Sequence, residues 1–400
     1  MDSASTQPGR QRLDCIDALR GLVMVFMCLD HTREFFGDLR VQPEDLETTT
    51  PLLFATRWVT HFCAPTFIFL AGTSAWLYRK KAGGRRQLAR FLFTRGLWLI
   101  LLEFTVIYFG WFFSIGPFPL MFIVIAAIGS SMIVLSVLIF LPYNVLCAGG
   151  LLIIVLHNAL DPLEASDFGI YSWFWKLLHD GGRIDLLYMD VGYPILAWIG
   201  VIVCGYCFGA VLEQDQEKRR RTCFRIGSLC VMLFLILRTV DLYGDPSHRV
   251  ADAGWQIGIM SFLRCTKYPP SLLYLLMTLG PALIVLGAFD RTRQKTFAAE
   301  KPWTALLAYG RVPLFFYVAH LYLIHLSSRL LYWVVRGEPL SAVATAYRCF
   351  MNQTEFPEQY GFPLWVVYPA WLTMLLILWP LCGWYGQRKR RGRNFLWSYL

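Results

Sequence analysis

Long hydrophobic runs alternate with short polar loops along nearly the whole chain. A membrane-spanning helix takes about 20 predominantly apolar residues, and ten runs are of about that length. The pattern therefore predicts an all-α polytopic membrane protein with about ten transmembrane helices, of which the fifth is the weakest candidate. The runs cover residues 16–36, 53–78, 91–113, 118–140, 143–160, 191–212, 226–242, 269–289, 303–334 and 362–385.

Basic residues are distributed unequally between alternate loops. The set of loops that includes both termini carries 22 Lys and Arg, against 8 in the other set. Because cytoplasmic loops are enriched in Lys and Arg, this asymmetry predicts that both termini are cytoplasmic. The chain is then divided into a cytoplasmic tail (1–14), a transmembrane domain (15–387) and a basic cytoplasmic tail (388–400).

Composition supports a lipid bilayer rather than nucleic acid as the partner. The chain is 56% hydrophobic and 16% charged, whereas soluble domains carry about 25% charged residues. The formal net charge of +10 comes from the short loops, as the positive-inside pattern requires. We therefore expect no nucleic-acid partner.

The eleven cysteines lie mostly inside apolar runs and lack the spacing of metal ligands. Cys204 and Cys207 form a C-x-x-C motif, but within a helical run they are interpreted as small packing residues. No metal is expected. Cys265 and Cys349 are the two cysteines in predicted external loops, and their pairing is left open.

Polar residues inside the runs fall at two depths once the helix directions are assigned. Because ionisable groups in lipid must be paired or face water, a layer of them predicts one shared cavity. The outer layer holds Asp30, His31, His61, Glu103, Arg238, Asp241, His320 and His325. The inner end holds Asp17, Arg20 and Arg95.

His31 is the best candidate for chemistry. An imidazole titrates near neutral pH and can take a proton from a sugar hydroxyl or an amine. Asp30 is adjacent in sequence, and neighbouring helical residues do not face one another. The residue that orients His31 is therefore sought on another run, and His61, Glu103 and His320 remain alternatives.

Five stretches resemble bacterial membrane proteins related to heparan-alpha-glucosaminide N-acetyltransferase, within the wider group of transmembrane acyltransferases. Together they extend from the first run to the ninth. They read RLDCIDALRGLVMVFMCLDHTREFF, THFCAPTFIFLAGTSAWL, YPILAWIGVIVCGYCFGA, KYPPSLLYLLMTLGP and GRVPLFFYVAHLYLIH.

The resemblance implies an acyltransferase of the bacterial cytoplasmic membrane. Polysaccharide O-acetylases of the wider group carry an Arg, ten residues and a His in the first span, a spacing that Arg20 and His31 reproduce. Acetyl-CoA or a similar acyl-CoA would bind from the cytoplasm, and a carbohydrate or glycolipid would accept the acyl group at the outer face. The candidate catalytic residues are His31, His61, His320 and Asp30, and the candidate donor-binding residues are Arg20, Arg95 and Arg238.

The sequence departs from the lysosomal enzyme that gives the family its name. That enzyme has its catalytic histidine in the loop after the first span, whereas residues 37–60 contain no histidine. A covalent acyl-histidine is therefore not inferred. The acceptor and the acyl chain stay open, and so does the oligomeric state, for which a homo-oligomer is one alternative.

Two hypotheses from other classes remain. A proton-coupled transporter would also need a buried layer of His, Asp, Glu and Arg, although no internal repeat supports it. Haem or another metal bound by intramembrane histidines such as His61 and His320 is a further hypothesis, without supporting ligand spacing.

Overall fold

The computed structural model describes residues 13–113, 119–250, 254–291, 301–337 and 361–391. Most of the predicted tails 1–14 and 388–400, and Cys349, lie outside these residues. The α-helices of the described residues are α1 (Asp14–Phe36), α2 (Pro51–Thr60), α3 (Cys63–Arg79), α4 (Arg85–Leu102), α5 (Tyr108–Phe112), α6 (Val124–Leu138), α7 (Tyr143–Leu156), α8 (Ser172–Trp175), α9 (Ile195–Phe208), α10 (Gln216–Val240), α11 (Trp255–Leu263), α12 (Leu272–Arg291), α13 (Lys301–Arg311), α14 (Pro313–Arg336) and α15 (Leu364–Arg391).

Seven helical segments of the described chain are long and apolar enough to cross a membrane. They are Arg85–Phe112, Tyr143–Leu160, Ile195–Glu213, Gln216–Val240, Leu272–Asp290, Pro313–Arg336 and Leu364–Arg391. Of the other predicted runs, α1 carries ionisable residues at both ends, the second run is broken, and α6 has only 15 residues. The protein is therefore an integral membrane protein, while the count of ten and the cytoplasmic termini remain predictions.

The pattern predicts one continuous helix for the second run, but the structure divides it at His61 into α2 and α3. Pro65 explains the break, because a proline has no N–H and its ring clashes with the carbonyl four residues earlier. That carbonyl belongs to His61, and the Tyr274 hydroxyl donates a hydrogen bond to it over 2.8 Å. The break thus places His61 beside α12.

The ninth run is also divided, at Val312 between α13 and α14. Pro313 occupies the first turn of α14, where its missing N–H has no helical partner to lose. α13 packs so closely on α1 that a Cβ on Gly310 would lie 1.8 Å from the carbonyl oxygen of Asp17. Only a glycine permits this approach, which brings α13 and α14 to the inner end of α1.

A small β-sheet accompanies the helices, so the prediction of an all-α fold needs this addition. Its strands are β1 (Leu120–Phe122), β2 (Gly182–Ile184) and β3 (Met189–Val191), in the order β1-β3-β2. β1 pairs with β3 in parallel and β2 pairs with β3 antiparallel. The Arg183 guanidinium donates to Asp190 across the antiparallel pair over 2.8 Å.

α1 lies at the centre of the helices that form the candidate site. Helices α2, α3, α12, α13, α14 and α15 all contact it. Small residues allow close contact between the surrounding helices, as membrane helices commonly require. A Cβ on Gly72 of α3, for example, would lie 2.1 Å from a backbone carbonyl oxygen of α9.

Candidate active site

His31 and His320 form a hydrogen-bonded pair between α1 and α14. Nδ1 of His31 lies 2.8 Å from Nε2 of His320, and the two ring planes are nearly parallel, at 17°, with centroids 4.9 Å apart. Nδ1 of His320 lies 2.9 Å from the carbonyl oxygen of Phe316 in the preceding turn. Of the three residues that the sequence left open, the structure places His320 against His31.

The geometry assigns the protons when both rings are neutral. A carbonyl oxygen only accepts, so Nδ1 of His320 carries a hydrogen and its Nε2 accepts one from His31. Nδ1 of His31 therefore donates, and Nε2 of His31 keeps a lone pair. The hydrogen-bond chain thus leaves Nε2 of His31, at its end, free to accept a proton, as a general base must.

Aromatic side chains surround this pair. The His31 ring packs edge-on against Trp111 at a centroid distance of 4.9 Å and against Tyr317 at 6.1 Å. Trp111 Nε1 and the Tyr317 hydroxyl are buried, and neither makes a hydrogen bond of ordinary geometry with the described residues. His320 has no exposed surface, whereas His31 is only partly buried. His31 is accordingly the member of the pair that can meet a substrate.

Asp30 belongs to a separate network of charges on an adjacent face of α1. Both of its carboxylate oxygens accept from the Arg57 guanidinium, at 2.9 and 2.7 Å, and one also accepts from Arg33 at 3.0 Å. All three residues are buried. Asp30 therefore neutralises two arginines and is not the hydrogen-bond partner of His31.

His61 joins this network through Glu44, which lies in the loop between α1 and α2. One Glu44 oxygen lies 2.9 Å from Nε2 of His61 and accepts from Nε of Arg57 at the same distance. Burial alone would raise the pKa of Glu44, but the His61 hydrogen bond and the Arg57 charge hold it well below its usual range. His61 thus anchors the acidic loop, and its second nitrogen, Nδ1, has no hydrogen-bond partner among the described residues.

The candidate donor-binding arginines lie in three different surroundings. Arg20 donates to Asp17, to the carbonyl oxygen of Gly310 and to Ser74, and so links α1, α13 and α3. Arg95 lies in α4, within electrostatic range of Tyr385 near the basic end of α15. Their position at the cytoplasmic end of the helices remains a prediction.

Arg238 lies in the last turn of α10 and has a different environment. Its guanidinium is completely buried and donates to the backbone carbonyl oxygens of Phe262, Ser247, Ser261 and Arg264, at 2.7 to 3.0 Å. A side chain that ties α10 to the following loop in this way favours a structural role. Donor binding by Arg238 remains a prediction that this geometry does not support.

Two other members of the outer layer also serve the packing of helices. Glu103 accepts from the backbone N–H groups of Ile125 and Ala126, at 2.9 and 3.0 Å, and so caps the N-terminus of α6. His325 bonds the carbonyl oxygen of Gly110 in α5 over 2.8 Å. Neither residue contacts His31. Within the described residues no three His, Cys, Asp or Glu side chains are grouped as a metal site would require.

Residues 12–240 match the model of a protein family described as heparan-alpha-glucosaminide N-acetyltransferase, catalytic. The matched part is more than half of the 400 residues. The chain belongs to this family. Membership makes the protein an acetyltransferase, and its apolar helices place it in the membrane. A comparison with curated proteins found no match.

Part of the candidate site lies beyond the portion of the chain that matches the family. His31, Asp30 and Arg20 fall inside residues 12–240, whereas His320 falls outside them. The family match therefore covers only His31 of the histidine pair, and the contact between His31 and His320 is seen in the structure.

Sequence reasoning did not single out Arg57, Glu44 or Lys267. Arg57 and Glu44 join the charge network of Asp30, and Lys267 lies within electrostatic range of His31. Lys267 opens the family-like stretch KYPPSLLYLLMTLGP. That stretch was the one signal that could have drawn attention to it.

Proposed function

We propose that the protein transfers an acetyl or similar acyl group from cytoplasmic acyl-CoA to a carbohydrate or amino sugar at the outer face of a bacterial cytoplasmic membrane. The observation that carries this proposal is the hydrogen-bond chain from Phe316 through His320 to His31, which leaves Nε2 of His31 as a proton acceptor. Family membership supports the acetyl group, while the CoA donor and the acceptor class are part of the proposal.

The proposed reaction is a direct transfer. Nε2 of His31 takes a proton from the acceptor hydroxyl or amine as that oxygen or nitrogen attacks the thioester carbonyl carbon. The new C–O or C–N bond forms, the C–S bond breaks, and the CoA thiolate leaves with the proton that His31 returns. His320 acts as a positioning residue, because it holds the tautomer of His31 in which Nε2 is unprotonated.

Arg20 is proposed to bind the phosphates of CoA from the cytoplasmic side, with Arg95 contributing positive charge. Arg20 and His31 are about 16 Å apart along α1, at 1.5 Å per residue. The long pantetheine arm of CoA can bridge such a separation. The transferred group would then reach the outer layer while the nucleotide stays at the inner end.

Release of free CoA from acetyl-CoA by the purified protein tests this function without knowledge of the acceptor. We expect slow release by the wild type, through transfer to water, and its loss in His31→Ala. His325→Gln is the matched control. His325 is also a buried histidine, but its ring bonds to Gly110 of α5 and Arg329 of α14 and not to His31. Absence of both CoA release and CoA binding by calorimetry would refute the proposal and favour the transporter hypothesis.

A further inference from the structure

Lys267 is a buried cation beside the candidate active site. The residue is only 6% exposed, and none of the residues that the structure describes gives its ammonium a hydrogen bond or an ion pair. Nζ lies over the face of the Tyr268 ring, 5.1 Å from its centroid. An ammonium on a largely buried side chain is costly unless an acceptor solvates it, so this group is suited to a partner from outside the described chain.

The turn that carries Lys267 is held in place by hydrogen bonds on both sides. Asp245 accepts from the backbone N–H and the hydroxyl of Thr266, at 2.8 and 3.0 Å. The same carboxylate accepts from the hydroxyl of Ser271 at 2.5 Å. Because residues 266 and 271 are both fixed to Asp245, the backbone between them has little freedom, and Lys267 is preorganised.

The nearby carboxylates are already engaged by arginines. Asp30 binds Arg57 and Arg33, and Glu44 binds Arg57. Glu34 has the Arg33 guanidinium 3.4 Å away. The ammonium of Lys267 is therefore the cation of this cluster that no carboxylate of the described chain approaches to ion-pair distance.

Lys267 also lies within electrostatic range of the proposed base. Its charge acts on His31, Asp30 and Glu34. The Tyr268 ring contacts Tyr193 edge-on at 5.1 Å, with the two hydroxyl oxygens 3.4 Å apart. Aromatic faces of this kind pack well against the apolar face of a sugar ring. A cation and two aromatic rings thus lie together, within electrostatic range of the base.

We infer that Lys267 binds an anionic group, a carboxylate or a phosphate, on the acceptor whose hydroxyl or amine is acylated. This inference rests on the proposed function, since it assigns the acceptor's side of the same site. A charge-assisted hydrogen bond to an otherwise unpartnered ammonium would orient the acceptor toward His31. Lys267 is thereby a specificity-determining residue that selects acidic acceptors over neutral ones.

The test compares probes that share a sugar ring and differ in charge. Glucuronic acid carries a carboxylate, glucose 6-phosphate carries a phosphate, and methyl glucoside is neutral. Binding of each to the wild type in lipid nanodiscs is measured by calorimetry, with and without saturating CoA, and each is then tried as an acceptor that stimulates CoA release. We expect at least one anionic probe to bind roughly tenfold to a hundredfold more tightly than methyl glucoside. The better of the two anions identifies the source of the charge.

Variants then assign the preference to this lysine. Lys267→Met should abolish it and Lys267→Arg should keep most of it, whereas the control Lys176→Met should not change it, because Lys176 donates to the carbonyl oxygen of Arg183 elsewhere. Equal binding of neutral and anionic probes by the wild type, or binding of no anion, would overturn the inference even if Lys267→Met does not fold. So would an anion preference that survives in Lys267→Met, or a fall in kcat that is the same for neutral and anionic acceptors. Wild-type protein that binds anions through Lys267 but neither binds nor cleaves acetyl-CoA would refute the proposed function alone.

Discussion

Replacement of His320 by phenylalanine should slow acyl transfer by roughly tenfold to a hundredfold. The phenyl ring fills the same space but offers no acceptor to Nδ1–H of His31, which lies 2.8 Å from His320 in the wild type. A buried donor left without a partner costs about 1–3 kcal/mol. Since about 1.4 kcal/mol corresponds to a factor of ten, His31 should move largely to the tautomer with the proton on Nε2. That tautomer cannot accept a proton from the acceptor.

Steady-state CoA release gives kcat and KM for acetyl-CoA for each variant. KM should change little, because Arg20 lies about 16 Å from His31 along α1. His320→Gln should recover part of kcat, because its side-chain carbonyl can accept from His31. His325→Phe on the same helix controls for the loss of a buried imidazole. A kcat for His320→Phe within about twofold of the wild type, or no advantage of Gln over Phe, would refute the role assigned to His320.

Three further predictions concern the network around the site and the packing of helices. Asp30→Asn should lower stability by about 3–5 kcal/mol, because it leaves the buried Arg57 guanidinium without its bidentate partner; an unchanged midpoint of thermal unfolding would contradict this. Gly72→Ala should lower that midpoint, because its Cβ would lie 2.1 Å from a backbone oxygen, whereas Gly149→Ala, with nothing within 4 Å, should not; equal midpoints would argue against the close helix contact. Glu44→Gln should be less stable than the wild type from pH 7 down to about pH 5. Burial raises the pKa of Glu44, but the hydrogen bond from His61 and the charge of Arg57 lower that pKa overall from 4.5. The contribution of Glu44 to stability is therefore present above its unfolded pKa and is lost only as the pH falls through its lower folded pKa. A gap in unfolding midpoint that closes between pH 7 and pH 5 would show that Glu44 is not held in this way.

The hydrophobic pattern predicted where the helices lie in the sequence better than it predicted which of their side chains contact one another. Run length and direction alone predicted that His31 and His320 share one depth, as their hydrogen bond requires. The choice of His320 over His61 and Glu103 did not, because it depends on which way each helix is rotated. Helices in lipid are apolar on all sides, so they carry no polar stripe from which that rotation could be read.

Breaks in the helices were partly within reach of the sequence. Pro65 marks the break at His61 by removing a backbone hydrogen bond, and the same reasoning applies to Pro313. The roles of Glu44 and Lys267 were not within reach. Both lie in loops whose conformation depends on contacts with residues far away in the sequence, such as the hydrogen bonds of Asp245 to the Lys267 turn.

The same contact analysis separates two arginines that look alike in sequence. Arg20 and Arg238 each interrupt an apolar run near one of its ends. Arg238 is completely buried and donates to four backbone carbonyl oxygens, whereas Arg20 is only partly buried. The sequence shows that an arginine is present, but the tertiary fold determines which acceptors surround its guanidinium. Those acceptors distinguish an arginine that packs helices from one that can bind a ligand.

One turn of α1 supplies both a neutral base and a buried charge network without joining them. Asp30 and His31 are consecutive, so their side chains leave the helix about 100° apart. Asp30 therefore meets the arginines, and His31 meets His320 and the aromatic rings. A carboxylate hydrogen-bonded to His31 would favour the charged imidazolium, which could not accept a proton. The structure uses a second imidazole instead, which fixes the tautomer without adding a charge. Asp30→Asn should accordingly act mainly on stability, and His320→Phe mainly on turnover.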